Sequence, residues 1–235
     1  MIALASLLIW LYLIFAHGRF WQSAPQLPPA AASECPDVDI IVPARDEAAT
    51  IAAVIGSLLA QDYAGRFNVI LVDDNSSDGT AAAAGAAASA SAQAARLTVI
   101  RLQAKPPGWS GKLWALSQGV AASSAPVILF TDADIEHDPG HLSSLTAKLL
   151  QGRLDMVSEM VRLNCVSLAE RALVPAFVYF FQMLYPFKRV NDPQSRVAAA
   201  AGGTVLIRRE TLQRIGGIDS IKHQLIDDVA LARSV

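Results

Sequence analysis

The chain has 235 residues, enough for one large domain or two small ones. Hydrophobic residues make up 53% of it and charged residues 17%, which excludes intrinsic disorder as its overall state. The formal net charge of -2 leaves no basic excess, so we expect no nucleic-acid partner. The mean hydropathy of +0.36 indicates membrane contact. The two cysteines, Cys35 and Cys165, have no metal-site spacing, which argues against zinc or a disulfide framework and fits a reducing compartment.

The first segment is apolar from Ile2 to Phe15 apart from Ser6, and it can be extended to Trp21. That gives about twenty residues, the length that a ~30 Å hydrocarbon core requires of a helix, so we predict a transmembrane anchor over residues 1–21. A cleaved signal peptide and a buried core helix are the alternatives, although no basic residue precedes the run as a signal peptide requires. Because Arg19 follows the run, we expect the remainder on the cytoplasmic side of the cell membrane.

Residues 22–36 are rich in proline and alanine and are predicted to be a linker, followed by one domain over residues 37–235. In that domain, apolar runs of strand length alternate with helix-like segments. The predicted strands are 38–44, 67–72, 97–102 and 127–131, and the predicted helices are 48–60, 80–95, 112–122 and 139–150. This alternation predicts an α/β fold with a mainly parallel central sheet and helices on both faces. Ligands of such sheets bind beyond the carboxyl ends of the strands.

Polar clusters follow the first two predicted strands. The segment from Pro43 to Glu47 forms a charged turn, which could simply complement the dipole of the next helix. The second cluster begins with the adjacent acids Asp73 and Asp74, which could accept hydrogen bonds from a base or a ribose, or could cap a helix. A calcium-binding loop is excluded there, because Gly85 stands where that loop needs a glutamate.

A glycine-rich turn leads into the third predicted helix. Gly108, Gly111 and Lys112 lack the spacing of a Walker loop, but a glycine-rich approach to a helix with a lysine in its first turn can hold a diphosphate. An ordinary turn with a surface lysine is the alternative interpretation.

The fourth predicted strand ends in Asp132-Ala133-Asp134. Alternate residues of a strand point to the same side, so both carboxylates are expected to face one site. Mg²⁺ or Mn²⁺, bridged to substrate phosphates, would offset their repulsion. A turn with two solvated acids is the alternative, and a phosphatase would carry such a pair on its first strand.

Near the end of the sequence, Gly202 and Gly203 permit a close backbone approach, and Asp228 begins a predicted helix. Asp228 could cap that helix, or it could act as a general base beside a metal-bound phosphate.

The order of these clusters from Val38 to Leu231 resembles the family 2 glycosyltransferases of the GT-A fold, most closely the hopanoid-biosynthesis members. The resemblance implies a nucleotide-diphosphate sugar as donor, with Pro43 and Glu47 in the segment that holds the nucleotide. By this resemblance, Asp74 would accept a hydrogen bond from the nucleobase, and Lys112 would contact the nucleotide or its diphosphate. Asp132 would contact the ribose or a metal ion, and Asp134 would be a metal ligand. Asp228 would be the catalytic base. Processive members carry Gln-x-x-Arg-Trp after the base, and its absence here predicts a domain that is incomplete at its C-terminus.

The resemblance implies an inverting transfer, in which Asp228 takes a proton from an acceptor hydroxyl as that hydroxyl attacks the anomeric carbon. The acceptor is expected to be a lipid, such as a hopanoid. The apolar, aromatic run from Leu173 to Phe187, followed by Lys188 and Arg189, suits a membrane interface, with a core helix as the alternative. A glycosidase and a non-catalytic, membrane-tethered nucleotide-sugar-binding protein are the competing functions.

Overall fold

The computed structural model describes residues 1–22, 26–30, 34–224 and 226–235. The predicted linker therefore lies partly outside the described residues, at positions 23–25 and 31–33. The chain divides into two compact units. The helical unit comprises Met1–Gln26 and Arg162–Ala199, and the sheet unit comprises Leu27–Val161 and Ala200–Val235. The structure thus groups an internal segment with the N-terminal residues, whereas the sequence predicted one continuous domain from residue 37.

The sheet unit is built on a six-stranded sheet with the order β3-β2-β1-β4-β6-β5. Its strands are β1 (Val38–Ala44), β2 (Phe67–Asp73), β3 (Leu97–Arg101), β4 (Val127–Thr131), β5 (Met156–Ser158) and β6 (Thr204–Arg208). The pairs β1–β2, β1–β4 and β2–β3 are parallel, and β6 pairs antiparallel with both β4 and β5. The predicted mainly parallel sheet is confirmed, with β6 as the reversed strand.

Helices cover both faces of the sheet, as predicted. They are α2 (Ile51–Leu59), α3 (Thr80–Ser89), α4 (Gly111–Ala122), α5 (His141–Gln151), α8 (Arg209–Arg214) and α9 (Asp227–Ser234). Successive residues of β1 point to opposite faces. Ile40 belongs to a buried cluster with residues of α2, α3 and α5, whereas Ile41 belongs to a second cluster with residues of α4, α8 and α9.

The strand directions bring the predicted clusters to one edge of the sheet. The carboxyl ends of the parallel strands β1, β2 and β4 lie at the same edge, followed by the loops that start at Arg45, Asp74 and Asp132. Because β6 runs the other way, its amino end lies at that edge too, opposite Thr131. The turn at Gly202 and Gly203, which precedes β6, therefore joins the same group of loops.

The helical unit contains α1 (Ile2–Phe15), α6 (Leu168–Leu184) and α7 (Phe187–Val190). The predicted anchor over residues 1–21 is not observed as one helix, because α1 ends after 14 residues, a length of about 21 Å. Among the residues that the structure describes, no helix has both the length and the apolar character needed to cross a bilayer.

The aromatic run forms α6, and this helix differs from the prediction in two respects. It spans Leu168–Leu184 rather than the run from Leu173 to Phe187, and it passes through Pro175. It begins with a capping box in which Ser167 accepts from the backbone of Glu170 and Glu170 accepts from the backbone of Ser167, which stabilises its first turn. No residue of α6 is buried, so the core-helix alternative is wrong.

Candidate active site

An open cleft of about 290 Å³ lies at the carboxyl edge of β1, β2 and β4. Its walls come from the loops after these three strands and from the first turns of α4. It brings together six of the predicted site residues, namely Pro43, Glu47, Asp74, Lys112, Asp132 and Asp134. Asp228, the seventh, lies elsewhere.

A second, smaller cavity of about 30 Å³ adjoins this cleft, and Asp228 lines it. Pro43, Lys112 and Asp132 line both spaces, so the two share a wall. The remaining lining of the smaller cavity is largely apolar. The structure therefore places the predicted base beside the predicted nucleotide cleft, with Lys112 and Asp132 between them.

The loops after β1 and β2 are tied together by their own polar groups. The backbone N–H of Asp46 donates to Ser76 Oγ at 2.9 Å, and Asp46 Oδ1 accepts from the N–H of Ser77 at 2.8 Å. Asp78 Oδ2 accepts from the N–H of Ala48 at 2.8 Å. These carboxylates accept from backbone N–H groups of the facing loop, and the N-cap residue of α3, the helix that follows the second cluster, makes no side-chain cap.

The two adjacent acids after β2 have different surroundings. Asp73 Oδ1 accepts from the N–H of Ser76 within its own turn. Asp74 lines the cleft, is 6% exposed, and has Arg45 Nη1 3.5 Å from its Oδ2. A Cβ at position 111 would lie 2.7 Å from Asp74 Oδ2, so Gly111 is required for the carboxylate to occupy this place.

Lys112 is held in the first turn of α4. Ser110 caps this helix by accepting from the N–H of Leu113 at 3.2 Å. Lys112 Nζ then lies 2.6 Å from Asp132 Oδ1, with roughly a third of each side chain exposed. Partly exposed ion pairs contribute little stability, typically about 0–1 kcal/mol. An arriving anion can therefore exchange with Asp132 for the lysine at small cost.

The Asp-x-Asp sequence lies in the turn after β4, because the strand ends at Thr131. Strand alternation was thus the wrong reason to expect both carboxylates in one place, although both do line the cleft. The turn is held by Thr50 Oγ1, which lies 3.1 Å from the carbonyl oxygen of Ala133 and 3.0 Å from Glu47 Oε2. The hydroxyl of Thr50 has one proton, so it donates either to Glu47 or to the carbonyl oxygen of Ala133.

The carboxylates suit Mg²⁺ or Mn²⁺ bound together with a substrate. Such ions commonly take one or two protein carboxylates, with substrate phosphates and water completing the coordination. Asp132 and Asp134 supply that number from one wall of the cleft. Over residues 1–22, 26–30, 34–224 and 226–235, no group of three or more metal-ligating side chains occurs. Two carboxylates are a donor set that fits an ion held jointly by protein and phosphate.

Asp228 lies in the first turn of α9, against the turn that precedes β6. Its Oδ2 accepts from the N–H of Gly202 at 2.9 Å, and its Oδ1 accepts from the N–H of Val229 at 2.7 Å. A Cβ on Gly202 would lie 3.2 Å from Asp228 Oδ2, so a glycine here allows the close approach. Both oxygens are thus fixed in position and keep further lone pairs for another donor.

The sequence from residue 39 to residue 216 matches the profile described as Glycosyl transferase family 2. This match covers well over half of the chain. The chain belongs to glycosyl transferase family 2. The resemblance stated for the ordered polar clusters is therefore confirmed at the level of the family.

Curated family members extend the comparison to nearly the whole chain. The Beta-monoglucosyldiacylglycerol synthase of Trichormus variabilis is 32% identical over 219 residues, covering 93% of this chain and 44% of its own length. The enzyme of the same description from Synechocystis is 28% identical over 220 residues, covering 89% and 43%. The chain thus spans less than half the length of these relatives.

Solved structures share the fold of this family 2 chain. The mannosyltransferase PcManGT from Pyrobaculum calidifontis, in complex with GDP-Man and Mn²⁺, gives a TM-score of 0.68 at 24% identity, covering 94% of this chain and 57% of that one. S. aureus TarS gives 0.58 at 16% identity, covering 84% and 33%. At these identities the likeness shows the fold alone, and it supports the predicted GT-A-like architecture.

Two charged residues that line these cavities were not among the predicted site residues. Arg45 lines the main cleft beside Asp74, and Asp227 lines the smaller cavity beside Asp228. The signal for Arg45 was its place in the charged turn after β1. The only signal for Asp227 was its position next to Asp228 in the sequence. In the structure, the N–H of Asp228 donates to Asp227 Oδ1 at 3.1 Å.

Proposed function

We propose that this chain is the donor-binding and catalytic part of a metal-dependent, inverting glycosyltransferase that moves a sugar from a nucleotide-diphosphate sugar to a lipid hydroxyl. The observation that carries the proposal is the shared wall between the two cavities. Lys112 and Asp132 border the cleft that holds Asp74 and Asp134, and they also border the cavity that holds Asp228. A donor and an acceptor can therefore meet at these residues.

The main cleft is the proposed donor site. Asp74 is nearly buried and its carboxylate is restrained by Arg45 and by the close approach of Gly111, which suits a fixed acceptor for a nucleobase N–H. Lys112 also lines the cleft, in the first turn of a helix, where an anion is stabilised by both the ammonium and the helix N-terminus. The diphosphate is proposed to lie against Lys112.

Asp134, with Asp132, is the proposed holder of Mg²⁺ or Mn²⁺. When bound, this ion would offset the negative charge that develops on the departing diphosphate. The Mn²⁺ and GDP-Man of the Pyrobaculum mannosyltransferase complex support this proposal by analogy of fold. Lys112, released from Asp132 by the incoming diphosphate, adds a second positive charge on the same group.

Asp228 is the proposed general base. It accepts the proton of the acceptor hydroxyl while the hydroxyl oxygen forms its bond to the anomeric carbon, and the bond from that carbon to the diphosphate oxygen breaks. Because the attack comes from the face opposite the leaving group, the configuration inverts. The bonds from Gly202 and Val229 hold the carboxylate in place for this transfer.

The acceptor is proposed to be a membrane lipid, with a hopanoid or a diacylglycerol as the two candidates. The curated relatives named as Beta-monoglucosyldiacylglycerol synthases support a glycerolipid. The order of the polar clusters and the residues in them support a hopanoid, through the resemblance to the hopanoid-biosynthesis members. Both have a hydroxyl on an apolar body, so the same chemistry serves either lipid.

The helical unit is the proposed membrane contact, on the cytoplasmic side of the cell membrane. Neither α1 nor α6 contains a buried residue. Large apolar side chains are exposed on both helices, and on α6 they include Phe177 (61%) and Phe180 (51%). Exposed apolar patches with aromatic residues and a basic flank are typical of interfacial helices.

Liposome flotation of the full chain tests the membrane contact. Replacing Phe177 and Phe180 with Ser should lower the bound fraction on phosphatidylglycerol-containing vesicles, because each side chain contributes up to roughly 1.5–3 kcal/mol when fully buried. Since both are exposed, the melting temperature should stay close to that of the parent. Val99→Ser, an exposed apolar site on β3, is the control. Equal flotation of all three proteins would overturn the membrane contact.

Turnover of nucleotide-sugar donors against diacylglycerol, a hopanoid and a polar-lipid extract tests the activity. We expect transfer that requires Mn²⁺ or Mg²⁺ and gives an inverted anomeric product. The family match disfavours the glycosidase. The non-catalytic alternative is favoured by one observation, that both oxygens of Asp228 already accept backbone N–H groups. Donor binding without transfer to any acceptor would support that alternative.

A further inference from the structure

A chain of side-chain hydrogen bonds runs through the sheet unit away from the proposed site. Thr131 Oγ1 lies 2.8 Å from His137 Nε2, and His137 Nδ1 lies 2.8 Å from His141 Nδ1. His141 Nε2 lies 2.9 Å from Glu159 Oε2. We name these four residues the relay. The roles proposed above for the cleft make no use of its two imidazoles.

The relay leads from the protein surface into its interior. About a third of the Glu159 side chain is exposed, against 17% for His141, while His137 is 7% and Thr131 1% exposed as whole residues. The backbone N–H of His137 donates to Ser57 Oγ on α2 at 3.1 Å, which positions the backbone of this residue.

The inner end of the relay meets the backbone that positions the proposed site. The carbonyl oxygen of Gly203 lies 3.1 Å from Thr131 Oγ1 and accepts from the N–H of Asp132 at 3.3 Å. The neighbouring Gly202 N–H donates to Asp228. One peptide turn therefore connects the relay to the Asp-x-Asp loop and to the proposed base.

When both imidazoles are neutral, only one placement of the protons satisfies the hydrogen bonds of the relay. With Glu159 ionised, His141 must carry its proton on Nε2, so its Nδ1 is an acceptor. His137 must then donate from Nδ1, and its Nε2 accepts from the hydroxyl of Thr131. That hydroxyl has one proton, so it makes no hydrogen bond to Gly203.

A second arrangement follows when His141 carries two protons. Its Nδ1 then donates to His137 Nδ1, so the proton of His137 sits on Nε2 and is donated to Thr131 Oγ1. The hydroxyl proton of Thr131 is free to bond the carbonyl oxygen of Gly203. A proton added at His141 thus reverses the His141–His137 and His137–Thr131 bonds and changes the hydrogen bonding of the turn beside Asp132, while His141 Nε2 donates to Glu159 in both arrangements.

The groups that face the relay make His141 the residue that takes the proton. Burial, and then the charge of His141, lower the pKa of His137 to about 4, so His137 stays neutral. The neighbouring segments α2 and β5 carry no titratable side chain. On β6, Arg208 lies at the end of the strand away from Thr204, with its Nε donating to the carbonyl oxygen of Leu154. Glu159 is therefore the counter-charge for His141.

We propose that Thr131, His137, His141 and Glu159 are positioning residues whose hydrogen-bond direction, set by the proton count of His141, fixes the Gly202–Gly203 turn and the Asp-x-Asp loop. The relay itself is independent of what the cleft binds. Its effect on metal and nucleotide binding rests on the proposed function.

Nitrogen-15 NMR of the histidine side chains tests the relay without any ligand. In the wild type at pH 8, we expect His137 protonated at Nδ1 and His141 at Nε2. As the pH falls, His141 should gain its second proton while the proton of His137 moves to Nε2. Glu159→Gln replaces the anionic acceptor of the His141 Nε2–H with a neutral amide, so the ring-nitrogen chemical shifts of both histidines should differ from those of the parent. Glu210→Gln, an exposed site on α8, is the control.

A His137 tautomer that stays fixed as the pH falls, or His137 ring-nitrogen chemical shifts that are equal in Glu159→Gln and Glu210→Gln, would overturn the relay. These outcomes do not depend on glycosyl transfer. The proposed function can therefore fail while the relay holds.

Calorimetry of Mn²⁺-dependent binding of UDP and GDP tests whether the relay affects metal and nucleotide binding in the cleft. His137→Leu should weaken the apparent Mn²⁺ affinity by about 10–100-fold, as expected for residues that orient metal ligands. His137→Gln keeps an amide that can donate or accept near the place of Nε2 and should recover most of the lost Mn²⁺ affinity. Equal losses in both variants, or no loss in either, would overturn the positioning role. If His137→Leu does not fold, Glu159→Gln at the exposed end carries the same comparison.

Discussion

Two groups of acids lie at the same edge of the sheet and differ in what their carboxylates contact. Asp46 and Asp78, in the loops after β1 and β2, accept backbone N–H groups from the facing loop. Asp132 and Asp134, in the loop after β4, line the open cleft. Asp132 is paired with Lys112, and an arriving anion can replace it as the partner of that lysine. The first group holds the frame of the cleft, and the second is available to a ligand.

Asp228 combines both kinds of environment, since it lines a cavity and also accepts two backbone N–H groups. The comparison teaches that residue type alone does not separate a structural carboxylate from a ligand-binding one. The two kinds are separated by how many backbone N–H groups the carboxylate accepts from and by whether it faces a cavity. Substitutions in the two groups should therefore divide between stability and ligand binding.

The largest effect is expected for Asp228→Asn. The amide keeps the shape of the carboxylate but cannot take the proton of the acceptor, and positioned base catalysis contributes roughly 10²–10⁴-fold. We expect transfer to fall by that factor while donor affinity stays within a few-fold of the parent. Single-turnover rates and donor calorimetry measure the two separately. An equal loss of donor affinity would assign Asp228 to the structural group.

A smaller effect, on stability, is expected for Asp39→Ala. Asp39 is 4% exposed, and its carboxylate accepts from Ser123 Oγ, Asn68 Nδ2 and the N–H groups of Ser124 and Ala125. Removing it leaves these donors without a partner, which costs about 1–3 kcal/mol of the free energy of unfolding. Urea unfolding at pH 7 measures the loss, and an unchanged midpoint would contradict it.

The same variant has a pH dependence of known sign. Burial alone would raise the pKa of Asp39, but the hydrogen bonds from Ser123, Asn68 and the two amides outweigh it and hold the pKa below its usual 3.8. A lowered folded-state pKa stabilises the protein at pH values above the unfolded-state pKa, and this contribution is lost as the pH falls through the folded-state pKa. The stability gap between parent and Asp39→Ala should therefore narrow as the pH is lowered below about 4. A constant gap would contradict the linkage.

The smallest effect is expected for Asp78→Ala. Hydrogen bonds from Thr80, and then from the N–H of Ala48, lower the pKa of this exposed carboxyl, and they tie two loops together. We expect a slightly lower melting temperature, less than for Asp39→Ala, with nucleotide affinity nearly unchanged. A large loss of affinity at an unchanged melting temperature would move Asp78 into the ligand-binding group.

The sheet could be predicted from the sequence because its strands are short apolar runs with sharp polar ends. The bounds of β1 and β4 agree with the prediction to the residue. The positions of the polar clusters followed from the parallel order of the strands. Asp73 and Asp74 could not be told apart, since only the fold shows that one turns back to Ser76 and the other faces the cleft.

The apolar helices and the histidines were harder to predict, for different physical reasons. The apolar composition of α1 and α6 indicates low affinity for water but does not specify what covers them, and α1 stopped short of the predicted anchor. His137 and His141 are only four residues apart, in a loop and at the start of α5, but Glu159 reaches them only through the pairing of β5 with β6. No local pattern marks such a contact.

The central claim is that the cleft binds a nucleotide diphosphate through a metal ion at Asp134. Calorimetry of the full chain with UDP and GDP, with and without Mn²⁺, tests it most directly, with Asp134→Asn compared against the loop-holding control Asp78→Asn. We predict Mn²⁺-dependent binding of at least one nucleotide by the parent and by Asp78→Asn, and its loss in Asp134→Asn. Binding that ignores Mn²⁺ and is equal in all three proteins would contradict the account.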